Sequence, residues 1–189
     1  MQKYFVIFVL FLIVLPGCNR SYTPKPRGYL RIDFKEKEYT QFDSTCPYRF
    51  EYPVYAQIVM DMKARTEPCW LNIEFPAYNG TIHISYKEVR GDLDKFVEDS
   101  RNLAYKHTIK ADAIRETVYS DTGRNVHGIL YDIKGNAASN LQFFLTDSIA
   151  HFLRGSLYFN VTPDKDSLAP VINYFKEDIV HLIETFNWK

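Results

Sequence analysis

The chain has 189 residues carrying 23 basic and 23 acidic side chains, a balance that leaves no basic footprint for nucleic acid or for an anionic lipid surface. Aromatic residues make up 16% of it, with 14 Tyr and 14 Phe, which suits a β-rich fold and excludes a disordered chain. With residues 1–17 set aside, the remaining length is that of one domain with a real core.

Chain order begins with Lys3 and an unbroken apolar run from Tyr4 to Leu15. Twelve residues suit the core of a signal peptide and fall well short of the roughly 20 that a membrane-spanning helix needs. The run closes on Leu15-Pro16-Gly17-Cys18, which resembles the bacterial lipobox, with Pro16 an uncommon occupant of its place. An uncleaved anchor helix and an ordinary secretory signal are the alternatives. A lone cysteine at the end of such a run favours cleavage before Cys18 and acylation of its sulfur. Residues 1–17 are therefore read as a lipoprotein signal peptide and Cys18 as the lipid attachment site. One acyl chain binds a membrane marginally, at about 0.8 kcal/mol per buried methylene, so the two or three chains of such lipoproteins make a permanent anchor. Asn19-Arg20-Ser21 lacks an acidic pair that would suggest surface export. The expected place is the cell envelope, facing the periplasm, at the outer rather than the inner membrane.

Residues 18–28 contain Pro24 and Pro26, which favour extended polyproline geometry and a lipid-proximal tether on the order of 30 Å long. A plain spacer and a docking segment are equally compatible with it. Residues 29–189 follow as a single domain. If the chain becomes a strand there, Arg27, Tyr29 and Arg31 share one face and Leu30, Ile32 and Phe34 the other. Arg and Tyr are enriched in interfaces, which makes Arg27, Tyr29 and Arg31 the candidate partner-docking residues.

The body alternates between strand and turn signals. Tyr48–Tyr52 and Tyr55–Met60 are expected strands separated by Pro53. Trp70–Phe75 and Thr81–Glu88 form a hairpin about Asn79-Gly80. On the second of these, Ile82, Ile84 and Tyr86 point one way and His83, Ser85 and Lys87 the other. Asp92 caps a helix with a stripe of Leu93, Phe96, Val97, Leu103 and Ala104, with His107 at the same phase. Strands return at 114–119, 126–133, 140–145 and 151–159. A last helix is expected over about 168–186, with Pro170 tolerated in its first turn and His181 on its solvated side. Short turns imply antiparallel pairing, so the fold class is α+β, a mainly antiparallel sheet with two principal helices packed on it.

Little in the chain points to chemistry. Cys46 and Cys69 are an even pair in an oxidising compartment, which favours a disulfide over two buried thiols. Two cysteines do not complete a structural zinc site. None of the five histidines, His83, His107, His127, His151 and His181, has metal-ligand spacing, and no nucleophile elbow, P-loop or dinucleotide fingerprint is present. No cofactor, metal or catalytic residue is therefore expected. The His83, Ser85 and Lys87 face suits a glycan or peptide ligand, although a solvated strand face reads the same way.

Tyr22-Thr23-Pro24-Lys25-Pro26-Arg27-Gly28-Tyr29 behind the lipobox cysteine resembles the gliding-motility lipoprotein GldD family of Bacteroidetes. The likeness continues in Cys46-Pro47-Tyr48, Pro68-Cys69-Trp70, the run from His83 to Lys87, Gln142 to Ser148, His151 to Phe159 and His181 to Phe186. This resemblance implies a non-enzymatic role in gliding motility and in the coupled type IX secretion system, as an assembly or stabilising component beside other envelope proteins. It carries no catalytic residues. The order of elements from Phe50-Glu51-Tyr52-Pro53 to a final helix ending in Thr185-Phe186 is similar to PsbP-like sandwiches, a likeness of fold alone. A glycan- or peptide-binding lipoprotein is the alternative function, and a cryptic hydrolase would need a histidine and a carboxylate in contact within a cleft.

Overall fold

The computed structural model describes residues 32–61, 68–106 and 110–189. Cys18, the tether, the Arg27, Tyr29 and Arg31 segment, and His107 lie outside the described residues. Among those described, ten strands and two α-helices occur in the order β1 (Tyr39–Asp43), β2 (Tyr48–Pro53), β3 (Gln57–Met60), β4 (Leu71–Phe75), β5 (Gly80–Glu88), α1 (Leu93–Tyr105), β6 (Ala111–Asp121), β7 (Val126–Gly135), β8 (Leu141–Thr146), β9 (His151–Phe159), α2 (Lys165–Thr185) and β10 (Asn187–Trp188). The fold is α+β and its strand pairs are antiparallel throughout.

Seven strands form the main sheet in the order β3-β4-β5-β9-β8-β7-β6, and β1-β2-β10 form a second, smaller one. One face of the main sheet presents Leu71, Ile73, Ile82, Ile84, Leu141, Phe143, Leu145, Leu153 and Leu157. It packs against α2 and against Tyr48 and Phe50 of β2, all in one apolar cluster. The opposite face carries α1 over a smaller cluster of Tyr131, Ile133, Phe144 and Phe152. Alternation with period 2 on the strands and 3.6 on α2 places these residues inward, and their burial drives the layers together.

Several local expectations are corrected. Residues 32–38 have no regular structure, so Ile32 and Phe34 reach the core from an irregular segment instead of a strand. The small sheet is not expected from sequence, because β1 (Tyr-Thr-Gln-Phe-Asp) shows no alternation of buried and exposed residues and β10 has only two residues. β2 and β3 follow one another but belong to different sheets; Tyr55 sits in the turn between them, and β3 starts at Gln57. The β4–β5 hairpin closes through a 3-10 turn, Pro76–Tyr78, with Asn79 left-handed at φ 49°, and Gly80 already belongs to β5. The Asp92 side chain accepts from the Arg90 backbone amide at 2.9 Å and makes no helix cap. On α1, Leu103 is 38% exposed while Ser100 and Ala104 are buried, since small residues let the helix sit close to the sheet. α2 starts earlier than expected, because Asp164 caps it through the amides of Asp166 and Ser167.

Cys46 and Cys69 form a disulfide with Cα atoms 5.5 Å apart. It ties the segment leading into β2 to the segment leading into β4, and so joins the small sheet to the large one.

Candidate functional site

Two polar features stand out from the apolar layers. The first lies on the outer sheet face. Among the described residues α1 covers this face at Tyr131, Ile133, Phe144 and Phe152, while the outward residues of β3, β4 and β5 are half-buried or exposed. His83, Ser85 and Lys87 lie there, as the alternation on β5 predicts, with Ile82, Ile84 and Tyr86 buried on the other side. Each has its own neighbour. His83 Nδ1 donates to Asn72 Oδ1 at 2.7 Å, and its ring lies 5.6 Å from that of Tyr158. Ser85 Oγ is 3.5 Å from the Arg154 carbonyl oxygen, and Lys87 Nζ is 5.3 Å from the Trp70 ring. The three share a face without converging on one point. Sequence reading missed the residues that β8 and β9 bring beside them, because pairing across the sheet leaves no trace in local spacing.

The second feature is the segment by which the chain enters the folded body. Phe34 stacks on Tyr174 with centroids 4.3 Å apart, and Tyr174 donates its hydroxyl to the Lys35 carbonyl at 2.7 Å. Lys37 Nζ donates to Asp178 Oδ1 at 2.7 Å and to the Tyr174 carbonyl at 2.8 Å, and lies 3.3 Å from the Tyr174 ring centroid. Tyr39 and Tyr55 donate to the same carboxylate at 3.0 and 2.5 Å. Asp178 is therefore a buried hub with an ammonium and two phenols around it. Burial lowers the Lys37 pKa, with Asp178 acting in the opposite direction; burial raises the Tyr39 and Tyr55 phenols, and Asp178 adds to the effect. Residues 34–39 are thus stitched to α2.

Among the described residues the histidines give no assembled reaction centre. His181 is half-buried, not on a solvated face, because β1 and β2 arch over that flank of α2. Its ring stacks on Tyr39 at 3.6 Å and its Nε2 donates to Glu51 Oε2 at 2.7 Å. That is a histidine–carboxylate contact, but the described residues place no side-chain hydroxyl or thiol in hydrogen-bond contact with the ring. His151 Nδ1 lies 2.7 Å from the Tyr86 hydroxyl and His127 Nδ1 3.0 Å from Ser120 Oγ on an exposed hairpin. Among the described residues no cluster of three His, Cys, Asp or Glu side chains is placed to hold a metal, and no helix is long and apolar enough to cross a membrane.

A three-layered sandwich, an antiparallel main sheet with a helix on each face, defines the class, and comparison with solved structures agrees. The chain is similar to cyanobacterial PsbP (CyanoP) from Synechocystis sp. PCC 6803, with a TM-score of 0.50 and 13% identity over 87% of this chain and 100% of that one; at this identity the likeness concerns the fold. The profile of the gliding motility lipoprotein GldD family matches residues 19–188, and the chain belongs to that family. Comparison with curated proteins gives no significant match.

Proposed function

We propose that this gliding motility lipoprotein is a non-enzymatic, membrane-anchored component that supports assembly or stability of the type IX secretion machinery. The observation that carries the reading is the family match over residues 19–188, which begins directly behind Cys18. The lipobox favours removal of residues 1–17 and palmitate or a related acyl group on Cys18, with the body, residues 29–189, facing the periplasm from the outer membrane. A stitched entry segment supports an anchoring role: a load passing along the tether of residues 18–28 meets residues 34–39 and is shared with α2, not concentrated on a free strand end. The scattered partners of the histidines support the non-enzymatic part.

Arg27, Tyr29 and Arg31 are the proposed docking residues for another envelope protein, since they directly precede the stitched segment. A clean deletion is expected to abolish spreading on agar and secretion of type IX cargo together; normal spreading with normal secretion would sink the reading. Cys18→Ala is expected to lose labelling by a fatty-acid probe. Crosslinking in vivo from positions 27, 29 and 31 is expected to trap one envelope partner, and full motility of an abundant triple alanine variant would refute the docking assignment.

A further inference from the structure

Beside His83, β8 and β9 place three polar side chains whose chemistry is left incomplete. Gln142 and Ser156 are direct cross-strand partners, and His83 is the partner of Ser156 on its other side. Antiparallel partners stand about 5 Å apart at Cβ, so these residues form a continuous row. Arg154 precedes Ser156 on the same face, and its Nη2 donates to Gln142 Oε1 at 2.5 Å. Gln142 and Ser156 are each 2% exposed, yet Gln142 Nε2 and Ser156 Oγ make no hydrogen bond. Buried donors are seldom left this way, and each calls for an explanation.

Arg154 adds a charge to the same spot. Burial pushes its guanidinium below the ordinary range, the Tyr158 phenol opposing, although an arginine stays protonated in a protein. No carboxylate pairs with it among the described residues. Among the described residues the buried carboxylates are satisfied: Asp178 by Lys37, Asp132 by Lys134 and Lys176, and Asp147 by three backbone amides. Arg154 is half-buried without that compensation, next to two unsatisfied groups.

We propose that Arg154, Gln142 and Ser156 bind a carboxylate group of a ligand on the outer sheet face beside His83. The Gln142 oxygen is already occupied by Arg154, so what remains is guanidinium N–H, amide N–H and hydroxyl. Such a set selects a group that only accepts. An arginine fork fits the two oxygens of a carboxylate in its own plane. One cation matches one negative charge, which favours a carboxylate over a phosphate dianion. The His83 and Tyr158 rings border the site and offer a wall for the body of the ligand. Arg154 is the most exposed of the three, so the anion enters past it.

This assignment stands apart from the assembly role, since a failed titration would leave a deletion phenotype untouched. The test is titration of the full-length acylated chain in detergent, followed by amide NMR. The probes are galacturonate and N-acetyl-alanyl-alanine, with galactose, the dipeptide amide and inorganic phosphate as counterparts. Both carboxylates, or one of them, are expected to give saturable shifts at the Gln142 side-chain amide and the Ser156 backbone amide, with the neutral counterparts silent. Which probe binds more tightly identifies an acidic sugar or a peptide terminus as the source. Arg154→Gln and Arg154→Lys are each expected to weaken binding at least about tenfold, the lysine because it keeps the charge and loses the fork. Ser156→Ala guards against a folding artefact: it removes an unsatisfied buried hydroxyl, so it should raise the melting temperature of the free protein while weakening carboxylate binding. A merely structural serine would not move the two readouts in opposite directions. No saturable shift with either carboxylate, shifts of equal affinity with phosphate, or unchanged affinity in a folded Arg154→Gln variant would overturn the proposal.

Discussion

Asp178 shows how much one side chain can organise. Its side chain is 1% exposed and that of Lys37 22%, so the pair is drier than a surface ion pair and is supplemented by two phenolic hydroxyls. Asp178→Asn keeps the volume and removes the charge, leaving the Lys37 ammonium without its counter-ion. Breaking a buried pair from one side costs about 3 to 5 kcal/mol; partial exposure of Lys37 places the expected loss at about 2 to 3 kcal/mol, measured by urea unfolding. Amide exchange over residues 35–39 should quicken more than exchange in β8, and uniform quickening would show that the segment is not stitched locally.

Two other carboxylates set the acid limit. Burial works against ionisation of Asp132, but Lys176 and Lys134 outweigh it and hold its pKa below the ordinary carboxylate value. Burial likewise opposes Asp147, and the backbone amides of Ile149, His151 and Ala150 outweigh it. A carboxyl with a depressed folded-state pKa contributes stability that is present above its unfolded value, near about pH 4, and lost as pH falls through the folded value. Melting temperature should therefore be level above about pH 5 with respect to these groups and drop below about pH 4. Asp147→Asn should make that acid drop shallower, and an unchanged profile would contradict the assignment.

At the scale of elements, β9 is the strand on which the rest turn. It joins β5 to β8 and carries Gly155, which faces Phe143 on β8 and Ile84 on β5. A Cβ at Gly155 would stand 2.3 Å from the Phe143 ring, so the aromatic ring occupies the space a side chain would need. Gly155→Ala should destabilise by about 1 to 3 kcal/mol through overpacking, read as a lower urea midpoint at constant slope. A companion Phe143→Leu substitution should recover part of the loss; failure to recover any would place the strain elsewhere. The disulfide acts on a neighbouring element. It closes a sequence separation of 23 residues, which in the chain-entropy account contributes roughly 3 kcal/mol, and it holds β2 where Tyr48 donates to the Cys69 carbonyl at 2.6 Å.

For the whole molecule, the connections matter more than the elements. β5 pairs with β9 across a long stretch that includes α1, β6, β7 and β8, and β2 pairs with β10 at the far end of the chain. Such non-local pairing must meet its loop-closure cost before contacts reward it, so folding belongs in the millisecond-to-second range. Stopped-flow refolding from urea with the disulfide intact, followed by Trp70 and Trp188 fluorescence, should show this; microsecond completion would be incompatible with the topology. Among the described residues, the same connectivity sets α1 over only part of the outer face.

Much of this architecture was legible in advance, and the reason is local. Alternation along β5 told Ile82 and Ile84 from His83 and Ser85, and the last helix was read close to its observed range, with Pro170 inside it. Period and turn chemistry depend only on near neighbours, so one strand or helix reports its own buried face. The short β1 and β10 carry no period, and the small sheet was invisible for that reason. Partnership is another matter. That Gln142 lies across from Ser156, that Arg154 reaches Gln142, and that Lys37 finds Asp178 at a separation of 141 residues follow from how the chain returns on itself. Sequence by itself determined the longer strands and helices and their inward faces; only the tertiary structure decided which polar side chains meet, because burial is written locally in residue type while proximity across a sheet is set by the pairing of distant strands.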